Sequence, residues 1–192
     1  GWGGSAELAV VDGLQVTGLT LSPAQLEWAQ RRVPQADLRL QDYRDIDDRF
    51  DHVVSIEMFE AVGERWWPTY FATVKRALQP GGRVEIQTIT LRDDLFAAYR
   101  KGTDFIQQHI FPGGMLPSKG EFRRQAERQG LVVRDEFAFG RDYARTLALW
   151  RDYDFQHRVM RAWARDPGFY ASQVERVPMT PLPVAGEALT RL

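Results

Sequence analysis

The stretch FDHVVSIEMFEAVG, residues 50–63, decides the predicted fold of this chain. Residues 53–56, VVSI, form an apolar run that is typical of a strand covered on both faces of a sheet. Glu57 and Glu60 follow directly behind that strand. Because ligands bind outside the carboxyl ends of the strands in an open parallel α/β sheet, both acids are site candidates. The alternative, that both are solvated or cap the next helix, stays open on spacing alone.

Strand and helix patterns alternate on both sides of this stretch. Further strands are predicted over residues 15–19, 37–41, 83–91 and 131–139. Helices are predicted over residues 5–11, from Ser22 onwards, and over 64–79, 93–109, 118–129 and 142–165. Ser22 with Gln25, and Ser118 with Glu121, have the spacing of capping boxes. The alternation predicts an α/β fold with a doubly wound, mostly parallel sheet.

Composition narrows the class of protein. A chain of 192 residues can build one domain with a sizeable core. Its formal net charge of −1 argues against a broad nucleic-acid footprint, so no nucleic-acid partner is expected. The chain has no cysteine, which excludes a disulfide framework and a thiolate metal site and fits the cytoplasm. His52, His109 and His157 lack ligand spacing, so no metal site is predicted.

The two ends of the chain carry separate expectations. The sequence opens in a glycine cluster, GWGG, with no strand pattern before it. We therefore predict a partial domain over residues 1–165 that lacks the first strand of its sheet and also the last. Residues 166–192 hold four prolines and no clear period, which predicts an irregular or disordered tail.

The strand ends of a parallel sheet share one edge, and polar or glycine residues follow every predicted strand there. The opening glycines would let the backbone approach a ligand closely. No P-loop lysine follows, and the full dinucleotide fingerprint is absent, so a ligand such as S-adenosylmethionine fits at least as well as a nucleotide phosphate. Asp42 would suit an adenine amino group, with a loop cap as the alternative.

Several runs of residues carry a specific resemblance. They are VTGLTLSPAQ (16–25), LQDYRD (40–45), SIEMFEAVGE (55–64), PGGRVEIQTIT (80–90), IFPGGMLPS (110–118) and DYARTLALW (142–150). In these runs the chain resembles the cyclopropane-fatty-acyl-phospholipid synthase family, which includes the mycolic acid cyclopropane synthases. The resemblance covers residues 1 to about 165.

The resemblance implies a class I S-adenosylmethionine-dependent methyltransferase with a Rossmann-like fold. The expected reaction adds a methylene bridge across a cis double bond of an unsaturated phospholipid acyl chain, with a bound bicarbonate as the base. A methyltransferase that leaves methyl or methylene branches is one alternative, because both outcomes diverge from the same carbocation. An inactive remnant that only binds lipid or a partner is the other.

The resemblance also implies site residues. Glu60 would hold the bicarbonate together with Gln87, the backbone of Ile89 and the hydroxyl of Tyr143. Gln87 stands where the family commonly has histidine, and a packed core tyrosine is the alternative for Tyr143. The residues expected to contact the cofactor are Gly1, Trp2, Gly3, Thr20, Leu21, Ser22, Gln25, Asp42 and Tyr43.

A substrate chain in a bilayer implies peripheral contact with the inner face of the membrane. The predicted helix over residues 142–165 carries Arg145, Arg151, Arg158, Arg161 and Arg165, which suit anionic headgroups. A solvated basic face is the alternative. A homodimer is left open.

Overall fold

A computed structural model of the chain describes residues 1–103 and 106–152. The chain divides into two compact units, Gly1–Arg134 and Asp135–Leu192. The predicted domain over residues 1–165 and the predicted tail over residues 166–192 stay predictions, because residues 153–192 lie outside the described part.

The first unit alternates helices and strands, as the sequence predicts. Its helices are α1 (Gly4–Val11), α2 (Pro23–Arg32), α3 (Phe59–Val62), α4 (Trp67–Ala77), α5 (Asp93–Tyr99) and α6 (Lys119–Arg128). Its strands are β1 (Thr17–Thr20), β2 (Asp37–Leu40), β3 (Phe50–Ile56) and β4 (Leu78–Gln87). Short 3-10 turns cover Tyr43–Asp45 and Glu64–Trp66, and a π-helical turn covers Ile106–Ile110. The second unit contributes α7 (Gly140–Asp152).

The strands form two parallel pairs. β1 pairs with β2, with Thr17 opposite Asp37, and β3 pairs with β4, with Ile56 opposite Gln87. Within residues 1–103 and 106–152 no strand joins the two pairs into one sheet. In the doubly wound order 3-2-1-4-5 the second strand of the fold pairs with the third and the fourth pairs with the fifth. The pairs β1–β2 and β3–β4 match these two portions of that order. The predicted α/β class with parallel strands is confirmed.

Aromatic side chains between α4, α6 and β3 form the main core. Phe59 is fully buried, with ring centroids 5.3 Å from Trp67, 4.9 Å from Tyr70, 5.4 Å from Phe71 and 5.1 Å from Phe122. Such spacings are those of favourable stacked and edge-to-face aromatic pairs. The predicted apolar stripe of α4 is therefore confirmed as core.

The expectation that residues 53–56 are covered on both faces is wrong. Successive strand residues point to opposite faces of a sheet. On the α4 side Val53 packs against the core, whereas Val54 and Ile56 on the other side are 60% and 47% exposed. The apolar run is therefore buried on one face only.

Several predicted elements also differ from the structure, among them the strand predicted over residues 83–91, which is β4 and covers Leu78–Gln87. The helix predicted over residues 64–79 ends at Ala77, because Leu78 pairs with Phe50 as the start of β4. The helix predicted over residues 93–109 ends at Tyr99, and a separate π-helical turn follows later in the segment. The strand predicted over residues 131–139 has no regular secondary structure, since no described strand lies beside it to supply a ladder.

None of the described helices is long and apolar enough to cross a membrane.

Candidate active site

Glu60 lies at the junction of the two sequence runs that carry the resemblance most specifically. It sits in the first turn of α3, next to the buried ring of Phe59, which anchors that short helix in the core. Its backbone carbonyl accepts a hydrogen bond from the N–H of Met115 at 2.9 Å. Gly63 has φ +76°, and a Cβ there would lie 3.1 Å from the carbonyl oxygen of Gly113. Residues 55–64 and 110–118 therefore pack backbone to backbone around Glu60.

The two carboxylate oxygens of Glu60 have different environments. Oε1 accepts a hydrogen bond from the backbone N–H of Ile89 at 2.5 Å. Oε2 is buried, and no described residue donates a hydrogen bond to it. An acceptor that is buried without a donor carries an uncompensated desolvation penalty. A ligand that donates a hydrogen bond to Oε2 would remove this penalty.

Gln87 ends β4 beside Glu57, the residue that follows β3. The Nε2 of Gln87 donates to Oε1 of Glu57 at 3.2 Å, and the backbone N–H of Glu57 donates to the carbonyl oxygen of Gln87 at 3.0 Å. The structure thus brings three of the predicted catalytic residues, Glu60, Gln87 and Ile89, to the carboxyl edge of the β3–β4 pair. Their roles stay predictions.

Tyr143, the fourth predicted catalytic residue, lies in α7 of the second unit. It is 36% exposed there. Its predicted role at the base stays a prediction.

The turn after β1 contains four of the residues predicted to contact a cofactor. Ser22 caps α2, since its Oγ accepts from the N–H of Gln25 at 3.3 Å. The return half of the predicted capping box is absent: the N–H of Ser22 donates instead to the hydroxyl of Thr20 at 3.2 Å. That hydroxyl in turn donates to Oε1 of Gln25 at 2.8 Å, and Leu21 is 70% exposed. Local hydrogen bonds therefore hold three polar side chains in one turn.

The opening glycines have a packing explanation of their own. Gly3 has φ +85°, and a Cβ there would lie 3.1 Å from the Cβ of Ala29 in α2. Glycine is thus required by the close approach of α1 to α2, whatever ligand approaches it. Trp2 lies edge-on to Trp28 with 6.4 Å between the ring centroids.

Asp42 follows β2 and is engaged by Arg44. Its Oδ1 accepts from the backbone N–H and the Nε of Arg44, both at 2.9 Å, and its Oδ2 accepts from the Nη2 of Arg44 at 2.6 Å. These hydrogen bonds lower the pKa of Asp42, so that it stays ionised. The loop-cap geometry that was the alternative for Asp42 is present. A carboxylate oxygen can still accept a second donor, so the predicted adenine contact stays open.

Tyr43 lies between Asp42 and the core. Its ring centroid is 5.8 Å from that of Tyr70, and burial raises the pKa of the Tyr43 hydroxyl. The aromatic core and the turn after β2 are thereby in direct contact.

Sequence reasoning missed three features of the site. These are the pairing of Gln87 with Glu57, the contact of Met115 with Glu60, and the engagement of Asp42 by Arg44. Only the last had a local signal, because an arginine two residues after a turn aspartate can reach back to it. In the described part of the chain, no group of three or more histidine, aspartate or glutamate residues is arranged to hold a metal ion.

Comparisons with curated proteins find lipid-modifying enzymes. The chain is 41% identical over 165 residues to the tuberculostearic acid methyltransferase of Mycobacterium tuberculosis, covering 82% of this chain and 39% of that protein. It is 37% identical over 181 residues to the cyclopropane-fatty-acyl-phospholipid synthase of Escherichia coli K12, covering 92% of this chain and 44% of that protein. The chain therefore spans less than half the length of these relatives.

The solved structures and the family model that match this chain come from the same group of enzymes. The cyclopropane synthase MmaA2 from Mycobacterium tuberculosis has a TM-score of 0.74 and 27% identity, over 86% of this chain and 64% of that chain. The mycolic acid cyclopropane synthase CmaA1, complexed with SAH and CTAB, has the same TM-score and coverage with 29% identity. The model of the family described as mycolic acid cyclopropane synthetase matches residues 1–171, and the chain belongs to that family.

Proposed function

We propose that this chain carries the cofactor-binding and base-holding residues of an S-adenosylmethionine-dependent enzyme. That enzyme adds a methylene bridge across the cis double bond of an unsaturated phospholipid acyl chain. The named activities of its relatives support this class of reaction. Within the structure, one observation carries the proposal: Glu60 presents a buried carboxylate oxygen, Oε2, that no described residue satisfies.

S-adenosylmethionine would supply an electrophilic methyl group. The related structure complexed with SAH supports a cofactor of this type. The residues that would hold it follow β1 and β2 or open the chain: Gly1, Trp2, Gly3, Thr20, Leu21, Ser22, Gln25, Asp42 and Tyr43. The chemistry of this set fits the cofactor. Thr20 and Ser22 offer hydroxyls, and ionised Asp42 suits the amino group of adenine. The exposed part of Trp2 offers apolar surface to the adenine ring.

The environment of Glu60 fits a bicarbonate that carries one proton. Two negative charges repel in a poorly solvated site, unless a proton lies between them. A bicarbonate O–H that donates to Oε2 would supply that proton and satisfy the unpartnered oxygen. The N–H of Ile89 already donates to the other oxygen, Oε1, and so restrains the carboxylate. In this proposal Glu60 orients the base and Gln87 donates to it, while the role predicted for Tyr143 stays a prediction.

A fatty-acyl methyltransferase that forms methyl or methylene branches is the second candidate. The 41% identity to a tuberculostearic acid methyltransferase favours it, against 37% for the cyclopropane synthase. Both candidates use the same first transfer and differ in how the substrate then loses its proton. Mass spectrometry of the acyl products separates a ring from a branch.

Replacement of Glu60 tests the proposal. In the longest natural chain that contains these residues, Glu60→Gln should keep its affinity for S-adenosylmethionine and lose roughly 10²- to 10⁴-fold in turnover. Calorimetry measures the affinity, and product formation measures the turnover. Glu85→Gln, a change at an exposed acid of β4, is the matched control and should keep both.

Two results would count against this function. Equal turnover in Glu60→Gln and the parent would remove Glu60 from the mechanism. A parent protein that binds no S-adenosylmethionine at millimolar concentration would instead favour the inactive remnant.

Peripheral membrane contact belongs to the same proposal. Arg145 is exposed in α7, whereas Arg158, Arg161 and Arg165 lie outside the described residues. Binding to vesicles should rise with anionic lipid and fall with salt, because the Debye length is about 10 Å at 0.1 M. Sedimentation with vesicles measures it. Vesicle binding that changes neither with lipid charge nor with salt would exclude electrostatic docking.

A further inference from the structure

Glu57 has a backbone conformation that its side chain disfavours. Among the described residues it is the only non-glycine residue with a positive φ, at 49°. In this left-handed region the Cβ of an L-residue crowds its own backbone, and glycine is the residue that adopts it without strain. Glu57 also stands directly at the carboxyl end of β3, beside the proposed base site.

The main chain alone does not explain why a glutamate occupies this position. The backbone N–H of Glu57 donates to the carbonyl oxygen of Gln87 at 3.0 Å, which extends the β3–β4 ladder by one bond. Glycine would make the same backbone bond without strain. What glutamate adds is its side chain, whose Oε1 accepts from the Nε2 of Gln87 at 3.2 Å. Strain that persists beside a site is a reason to look for a function there.

The side-chain bond restricts what Gln87 can present. A free glutamine amide can rotate by half a turn and exchange its donor and acceptor ends. An ionised carboxylate only accepts hydrogen bonds, so the NH₂ end of Gln87 must face Glu57. One N–H is then used by Glu57 and the second stays available.

We propose that Glu57 is a positioning residue that acts through Gln87. It holds the amide of Gln87 in the orientation that offers one N–H to an anionic oxygen at the base site. This inference rests on the proposed function, because it takes Gln87 to be part of that site.

The first experiment is a double-mutant cycle in the longest natural chain that contains these residues. Glu57→Gly should keep or raise Tm, because it relieves the strain, yet lower turnover by about ten- to a hundredfold through misplacement of Gln87. Affinity for S-adenosylmethionine should not change. In the Gln87→Ala background, Glu57→Gly should have no further effect on turnover. Glu57→Gln, whose amide can donate as well as accept, no longer selects one orientation of Gln87 and should lose part of the turnover.

The cycle has outcomes that would overturn the inference. Full turnover in Glu57→Gly would mean that the side chain positions nothing. An equal loss of turnover with and without Gln87 would mean that Glu57 acts by another route. A loss of turnover that follows a fall in Tm would assign Glu57 a structural role only.

A second measurement needs no turnover and separates this inference from the proposed function. In the 192-residue chain, the side-chain amide signals of Gln87 are assigned by NMR through their loss in Gln87→Ala. Glu57→Gly should move them toward the signals of Gln79, an exposed glutamine of the same strand, while Gln79 itself stays unchanged. Unmoved Gln87 signals would overturn the positioning role. A parent protein without any methyl transfer would overturn the proposed function alone.

Discussion

The two parallel strand pairs carry different halves of the proposed site and are held by different forces. The β3–β4 pair, with Glu60 and Gln87 at its edge, packs against a core of fully buried aromatic rings around Phe59. On the side of the β1–β2 pair, α2 buries Ala29, its C-cap residue Val33 is buried as well, and α1 buries no residue. The turns of this pair are held by local hydrogen bonds instead.

The β3–β4 half and the β1–β2 half of the proposed site therefore hold their functional groups in place by different means. Around Glu60, the position of the side chain depends on neighbours that are far away in the sequence. Around Thr20, Ser22 and Asp42, it depends on residues two to five positions away. Core substitutions should therefore lower stability strongly on the β3–β4 side. The β1–β2 side should instead be sensitive to the loss of single hydrogen bonds.

Truncation of a core side chain should separate the two halves most clearly. Phe59→Ala should lower the free energy of unfolding by about 3–5 kcal/mol, because it removes an aromatic ring that is surrounded by four others. Val33→Ala, in the other half, removes two methyl groups and should cost about 2 kcal/mol. Urea unfolding of both variants measures the difference. Equal losses would show that the two halves are equally well packed.

Alkaline pH should weaken the aromatic core. Burial raises the pKa of Tyr70 from 10.0 to about 12, although its hydroxyl donates to Ser55 at 2.7 Å. A raised pKa means that the stability from neutral Tyr70 is fully present below pH 10 and is lost as the pH rises toward 12. Two pKa units correspond to about 3 kcal/mol.

The midpoint of urea unfolding between pH 8 and pH 12 measures this loss, and Tyr70→Phe should flatten it. A parent protein whose midpoint stays constant up to pH 12 would contradict the prediction. The other half should respond in acid instead. The pKa of Asp42 is lowered, so its contribution is present above its ordinary pKa and is lost as the pH falls through the folded value.

Removal of the two serine caps gives the smallest expected effect and compares the halves directly. Ser118 caps α6 and is 1% exposed, whereas Ser22 caps α2 and is only half-buried. Ser118→Ala should cost about 2 kcal/mol and Ser22→Ala about 1 kcal/mol, because the buried cap leaves a donor without access to water. Thermal unfolding compares them. A larger loss of stability for Ser22→Ala than for Ser118→Ala would contradict this prediction.

Features with a local cause were predictable. Ser22 and Ser118 announce helix starts because a cap involves only the next three residues. The apolar stripe of α4 follows from helical periodicity and proved to be core. The prediction of a strand over residues 131–139 was wrong, since an apolar pattern does not indicate whether a partner strand lies beside it. The expected burial of Val54 and Ile56 was wrong for a related reason. The number of covered faces depends on what packs against the sheet.

The sequence by itself determined the family, the α/β alternation, the helix caps and the set of candidate site residues. Only the tertiary structure decided how those residues meet. The bond from Ile89 to Glu60 joins positions 29 residues apart, and that from Gln87 to Glu57 joins positions 30 residues apart. Both depend on the register of β3 against β4, in which Ile56 lies opposite Gln87. The strand ends predicted from the sequence place these residues at one edge, but which of them bond to each other depends on how one strand is aligned against the other.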